Sequence, residues 1–230
     1  MLATLACLSF ITTAPIQEEK LSKLYFVVLE KGPNAEAKVD EEEQSKMMGE
    51  HLANFDRLAK AKKLVIVGPM ADAGDMRGIV VLDVQDKEKA EAEFKNDPFI
   101  KSGAMKLATY EWYCLKSAMH TPKNLTDLRE YTIGFLRRGP ESGKPRTDEE
   151  AKKVQEGHMA NINRMANEGM LKVAGPMGGN GDLRGLFFFI TTDREKIKRE
   201  CDQDPAIKGG RLKMDLYTLY MGKGSLGEKN

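Results

Sequence analysis

The chain has 230 residues, with 36 Lys and Arg against 35 Asp and Glu and a net charge of +1. That balance, with no long basic run interleaved with aromatics, lacks the electrostatic footprint of a nucleic-acid binder. Charged residues make up 31% of the chain and the apolar ones come in periodic segments, the composition of a folded, soluble protein and not of a disordered one.

The first segment, "MLATLACLSFITTAPIQEE", has an apolar run too short to span a bilayer, and it stops before a charged stretch as a signal h-region would. No Lys or Arg precedes Lys20, and Pro15 follows the small residues, so only part of the signal pattern is present. Residues 1–20 are expected to be a signal-like or disordered N-terminal segment. Cleavage falls near Ala14 if the chain is exported to a periplasm or the outside; otherwise it is cytoplasmic. No membrane span is expected.

Leu24–Lys31, rich in aromatic and β-branched residues and ended by Gly32-Pro33, reads as a strand. A helix follows from Asp40, with Glu43 placed for a capping box; Met47, Leu52, Phe55 and Leu58 mark its apolar stripe. Leu64–Val67 is a short strand closed by Gly68-Pro69. The loop "ADAGDMRG" then leads into the apolar run Ile79–Val84, a central strand. Asp86 caps a second helix that ends before Asp97-Pro98, because the residue before proline avoids helical angles. A last strand covers Met105–Leu115.

The same order then returns. At a shift of 107 residues, 31 of the 91 positions from Leu24 to Cys114 are identical without a gap. "GPMADAGDMRG" becomes "GPMGGNGDLRG", and the capping box recurs at Thr147 and Glu150, above a stripe of Val154, Met159, Ile162 and Met165. A repeat of this length is a whole domain of about 90–100 residues. The predicted organisation is residues 21–116 as repeat 1, residues 117–127 as a polar linker and residues 128–230 as repeat 2. Each repeat is βαββαβ, the ferredoxin-like arrangement, whose sheet has helices on one face only. The bare apolar faces bury each other. The fold class is therefore α+β: tandem ferredoxin-like repeats packed sheet to sheet as an intrachain dimeric α+β barrel, a pseudo-dimer that leaves further oligomerisation open.

Each copy has a histidine in the middle of the first helix, a Gly-Pro after the second strand, and Asp-Pro followed by Gly103 or Gly210 before the last strand. These three features together resemble the YCII-related family, relatives of muconolactone isomerase in the dimeric α+β barrel superfamily. The resemblance covers both repeats. It implies a site pairing histidine with aspartate, which falls here on His51 with Asp97 and on His158 with Asp204. It also implies a small organic substrate, cyclic or halogenated in the members with assigned reactions. The same superfamily includes cofactor-free oxygenases.

The residues by themselves leave alternatives open. His51 lies four positions from Met47 and from Phe55, on or beside the buried helix face. It is either a core imidazole bonded to a carbonyl or a general acid or base oriented by a carboxylate. His158 is its equivalent, whereas His120 lies in the linker. Asn54 and Asn161, one turn on, either bind a substrate oxygen or tie down a loop. Asp97 and Asp204 either cap a turn or orient the histidine. Arg77 and Arg184 in "GDxRG" pair locally with the preceding aspartate or clamp an anion. Tyr110, Tyr113, Tyr217 and Tyr220 are packing residues. Cys114 matches Met221 and Cys201 matches Phe94, so both thiols fill core, and no Cys/His spacing suggests a metal.

Phosphate-loop, HExxH and GxSxG motifs are missing from the sequence. The expectation is a small-molecule enzyme of YCII-related type, without metal or organic cofactor, doing elimination, isomerisation or hydrolysis. His51, Asp97, His158 and Asp204 would be catalytic, and Arg77, Arg184, Asn54 and Asn161 substrate-binding. The alternative is a non-catalytic protein, either structural or binding a small anion.

Overall fold

The computed structural model describes residues 20–227. The signal-like reading of residues 1–20 therefore lies almost entirely outside the described residues.

The first half runs β1 (Ser22–Lys31), α1 (Glu41–Lys60), β2 (Leu64–Ala71), β3 (Met76–Leu82), α2 (Lys87–Ala92), α3 (Pro98–Lys101) and β4 (Met105–Cys114). A short 3-10 turn at Lys116–Ala118 opens the connection to the second half. There the order is β5 (Leu128–Arg138), α4 (Asp148–Asn167), β6 (Leu171–Pro176), β7 (Leu183–Phe189), α5 (Arg194–Cys201), α6 (Pro205–Lys208) and β8 (Leu212–Gly222). Both long helices start where their caps predict. The Asp40 side chain accepts from Glu43 N, and Thr147 with Glu150 forms a reciprocal capping box.

The eight strands form one antiparallel sheet in the order β4-β1-β3-β2-β8-β5-β7-β6. The halves meet where β2 pairs with β8, through Met70 opposite Leu219 and Ala71 opposite Thr218. The far edges also meet. Trp112 on β4 bridges to Met177 just after β6, and Gly178 N donates to Glu111 O at 2.8 Å. The sheet is thus curled into a barrel in which the two concave faces look at each other, with helices outside. This is the dimeric α+β barrel architecture within one chain.

Alternation along β1 explains its unbroken apolar run. Leu24, Phe26 and Val28 point into the barrel, while Tyr25, Val27 and Leu29 pack under the helices. A strand buried on both faces has no place for polar alternation. Inside, side chains of the two halves mix: Phe26 meets Phe135 edge to face at 5.8 Å, and Trp112 lies 5.4 Å from Phe188. Two smaller cores lie between sheet and helices, one in each half.

Three local expectations change. Gly68-Pro69 does not end a strand, because β2 continues through it to Ala71 and Gly68 pairs with Ile79. The Asp-Pro dipeptides do not merely stop a helix; each opens a further short one, α3 or α6. Leu52 and Met159 are 43% and 44% exposed, so the buried stripes of α1 and α4 are narrower than predicted. Leu52 is turned instead toward a cleft.

Candidate active site

The third turn of α1 carries His51, which is buried between the edges of Phe55 and Phe99, with ring centroids 4.6 and 5.3 Å away. Asp97 precedes proline, so its backbone is extended (φ −64°, ψ 128°), and Pro98 supplies the first residue of α3. The aspartate is therefore the N-cap of that helix. Its Oδ1 accepts from Phe99 N at 3.1 Å, and its Oδ2 lies 2.6 Å from His51 Nδ1. The capping and histidine-orienting roles, alternatives in the sequence, are held by different oxygens of one carboxylate.

The second half repeats the arrangement. Asp204 caps α6, accepting from Ala206 N at 2.8 Å, and its Oδ2 lies 2.5 Å from His158 Nδ1. Both carboxylates are almost fully buried, at 2% and 0% exposure. With a buried carboxylate accepting, Nδ1 carries the proton of the neutral ring and Nε2 is its basic nitrogen. Among the described residues neither Nε2 has a hydrogen-bond partner.

Each histidine lines a cleft on the helix side of the sheet. The first cleft, about 450 Å³, lies between α1, the Gly68-Pro69 segment of β2, Arg77 on β3 and the linker. Its walls are largely apolar: Met48, Leu52, Phe55 and Ile79, with Leu125 and Leu128 closing it from the linker side. The second cleft, about 320 Å³, holds His158 and Arg184 at equivalent places. Its other cationic side chains are Arg138, Arg146 and Arg211.

Histidine, aspartate and GDxRG arginine thus come together in each half. Arg77 is exposed at its cleft, and Arg184 is half-buried, with Nη1 donating to Gly179 O at 2.9 Å. Neither pairs with its neighbouring aspartate, Asp75 or Asp182; the latter instead binds Arg137. Asn54 and Asn161 line neither cleft. Their Nδ2 groups donate to Glu93 O and Glu200 O at 3.2 and 3.1 Å, and their Oδ1 atoms accept from Arg57 and Arg164. They tie the long helix to the segment after α2 or α5.

Sequence reasoning passed over Arg138, Arg146 and Arg211 because it weighed only positions that the two copies share. Their counterparts are Lys31, Val39 and Ala104. The signal was present in the differences between copies.

The fold is that of a dimeric α+β barrel. It superposes on a haem-binding protein from Thermus thermophilus with a TM-score of 0.57 at 10% identity, over 90% of this chain and 96% of that one. It also superposes on a variant chlorite dismutase from Candidatus Nitrospira defluvii with a TM-score of 0.57 at 9% identity, over 88% and 92% of the two chains. At such identities the likeness is one of fold. Residues 24–112 match the YCII-related domain, the stretch that holds His51, Arg77 and Asp97. No curated protein matches the sequence.

Proposed function

We propose that the protein is a small-molecule enzyme of YCII-related type whose two halves each carry a histidine–aspartate acid–base pair. We also infer that the second half is a second copy of the YCII-related domain. The identical order of elements and the 31 shared positions support that inference.

One observation carries the functional reading. In both halves a buried carboxylate holds His Nδ1 at hydrogen-bond distance while the ring lines a cleft. A core histidine needs a partner but not a cavity beside it. Nε2 takes a proton from a substrate C–H or O–H, and the imidazolium that forms is stabilised by Asp97 or Asp204. The proton then returns to another substrate atom or to a leaving group. That cycle serves elimination, isomerisation or hydrolysis. In the first cleft the apolar walls suit a hydrocarbon or ring, and Arg77 suits a carboxylate on it.

The test is turnover of a panel of small carboxylic and phenolic compounds by the intact chain, with His51→Ala, His158→Ala and the double variant. The double variant should lose activity about 100-fold or more while keeping its circular dichroism spectrum. Each single variant apportions the activity between the clefts. Turnover persisting in a folded double variant overturns the reading.

A second reading, a protein that binds a small anion without turning it over, is favoured by Arg77 and Arg184 lining the clefts. Saturable binding of a panel compound without turnover would select it.

A further inference from the structure

The two clefts are equivalent in position and unlike in charge. The first is lined by one arginine, Arg77, and one carboxylate, Asp56. The second is lined by Arg138, Arg146, Arg184 and Arg211, with no Asp or Glu among its lining residues. We propose that the second cleft is a binding site for a small organic polyanion, a molecule bearing two or more negative charges as carboxylate or phosphate groups, and that the first cleft is not. The inference rests on the cleft being a ligand site, as both readings above hold, but not on either histidine transferring a proton.

What holds these arginines carries the argument. Arg184 donates to Gly179 O, and Arg138 donates to Asn180 O and Gly181 O at 3.0 and 3.3 Å. Arg211 donates to Ser142 O and Lys144 O at 2.8 and 3.0 Å. Every one of these acceptors is a backbone carbonyl. A carbonyl fixes the direction of a guanidinium without cancelling its charge, and each guanidinium has five N–H donors, so most remain free. Arg146 has no partner among the described residues.

Four nearby carboxylates already have hydrogen-bond or ionic partners. Asp182 binds Arg137 at 3.0 Å, Glu141 pairs with Lys144, Glu150 closes the capping box and Asp204 faces His158. The lining of the second cleft therefore carries four guanidinium groups and no carboxylate. Four like charges around one cavity repel each other, and an anion reverses that sign. Arginine forks also match carboxylate and phosphate through paired hydrogen bonds.

The first cleft has lost, or never had, these groups. Lys31, Val39 and Ala104 stand where Arg138, Arg146 and Arg211 do, and Lys31 is paired with Glu36 at 2.5 Å. Met48 replaces Gln155 on the helix that faces the cavity. A duplicated site has become one apolar cleft and one cationic cleft.

The test is calorimetric titration of the intact chain with citrate as the polycarboxylate, pyrophosphate as the phosphate, and benzoate as a singly charged control. It is run in about 0.15 M NaCl, where exposed charges are screened beyond about 8 Å. One or both polyanions should bind saturably at one site, and the one that binds more tightly identifies the anion chemistry. Arg146→Ala and Arg146→Ala/Arg211→Ala should weaken that binding about tenfold per lost charge-assisted contact, and Arg77→Ala should leave it unchanged. The single Arg146 variant changes only an exposed side chain, so the result survives if the double variant misfolds. The proposal is overturned if neither polyanion binds saturably, if Arg146→Ala binds as tightly as the parent, or if Arg77→Ala weakens binding equally. Because the titration reads binding and not turnover, its failure leaves the acid–base reading intact, and the reverse also holds.

Discussion

Asp97 makes two hydrogen bonds with two oxygens, and its substitutions separate the two jobs. Asp97→Ala leaves the Phe99 amide and His51 Nδ1 without their partner in a buried place, and should cost about 2–4 kcal/mol of stability in denaturant titration. Asp97→Asn keeps an oxygen on Phe99 N but presents an amide N–H to Nδ1. That drives the ring proton to Nε2 and removes the basic nitrogen from the cleft. The Asn variant should therefore stay folded, lose activity and show the other tautomer in ¹⁵N spectra of the imidazole. An unchanged tautomer would show that the carboxylate does not position the ring. At the same scale, burial pushes the thiols of Cys114 and Cys201 up to about 12, with the Asp204 charge adding to burial at Cys201. Both should resist iodoacetamide at pH 8 until the chain is unfolded, as peptide mapping would read. The ordinary value is 9.0, so between about pH 9 and pH 12 the unfolded chain releases protons that the folded chain keeps. Stability falls with rising pH across that window.

Among elements, the Gly-Pro segments serve the barrel as well as lining the clefts. A Cβ on Gly68 would lie 1.8 Å from Tyr220 O, and one on Gly175 would lie 2.0 Å from Tyr113 O. Tyr113 and Tyr220 are repeat equivalents, so each glycine lets its strand pass over the last strand of the other half. Gly68→Ala and Gly175→Ala should each cost about 1–3 kcal/mol, because backbone at the seam has to move apart. A melting temperature unchanged in both variants would remove this explanation of why the dipeptide persists. The helices show the limits of periodicity. His51, Phe55 and Leu58 follow the apolar stripe into the core, but Leu52 leaves it for the cleft. A cavity wall and a core both demand apolar residues, and hydrophobic spacing does not distinguish them.

The whole molecule is stabilised by an interior that neither half owns. Phe26, Val28 and Trp112 from one half pack with Ile133, Phe135 and Phe188 from the other. Residues 20–120 produced alone would expose one concave apolar face to water. They should either self-associate into a dimer or lack a cooperative melting transition, as sedimentation and calorimetry would show. A monomeric half that melts cooperatively would mean that each sheet face is stable without its partner.

The sequence alone determined the identity between the two halves at a shift of 107 residues, the βαββαβ order of each half apart from the short helices α3 and α6, and the need to bury two bare sheet faces. Those follow from identity at a fixed offset and from local patterns that nearby residues impose on the backbone. It also singled out His51, Asp97, Arg77 and their equivalents as positions identical in the two halves. Only the tertiary structure decided which of these positions share a cavity. It separated Asn54 and Asn161, which tie a helix to a loop, from the arginines that line the clefts. It also assembled Arg138, Arg146 and Arg211 from one strand, one loop and one turn. Their common charge becomes a property of a site only when closure of the chain brings them around one space, and no local pattern records that proximity.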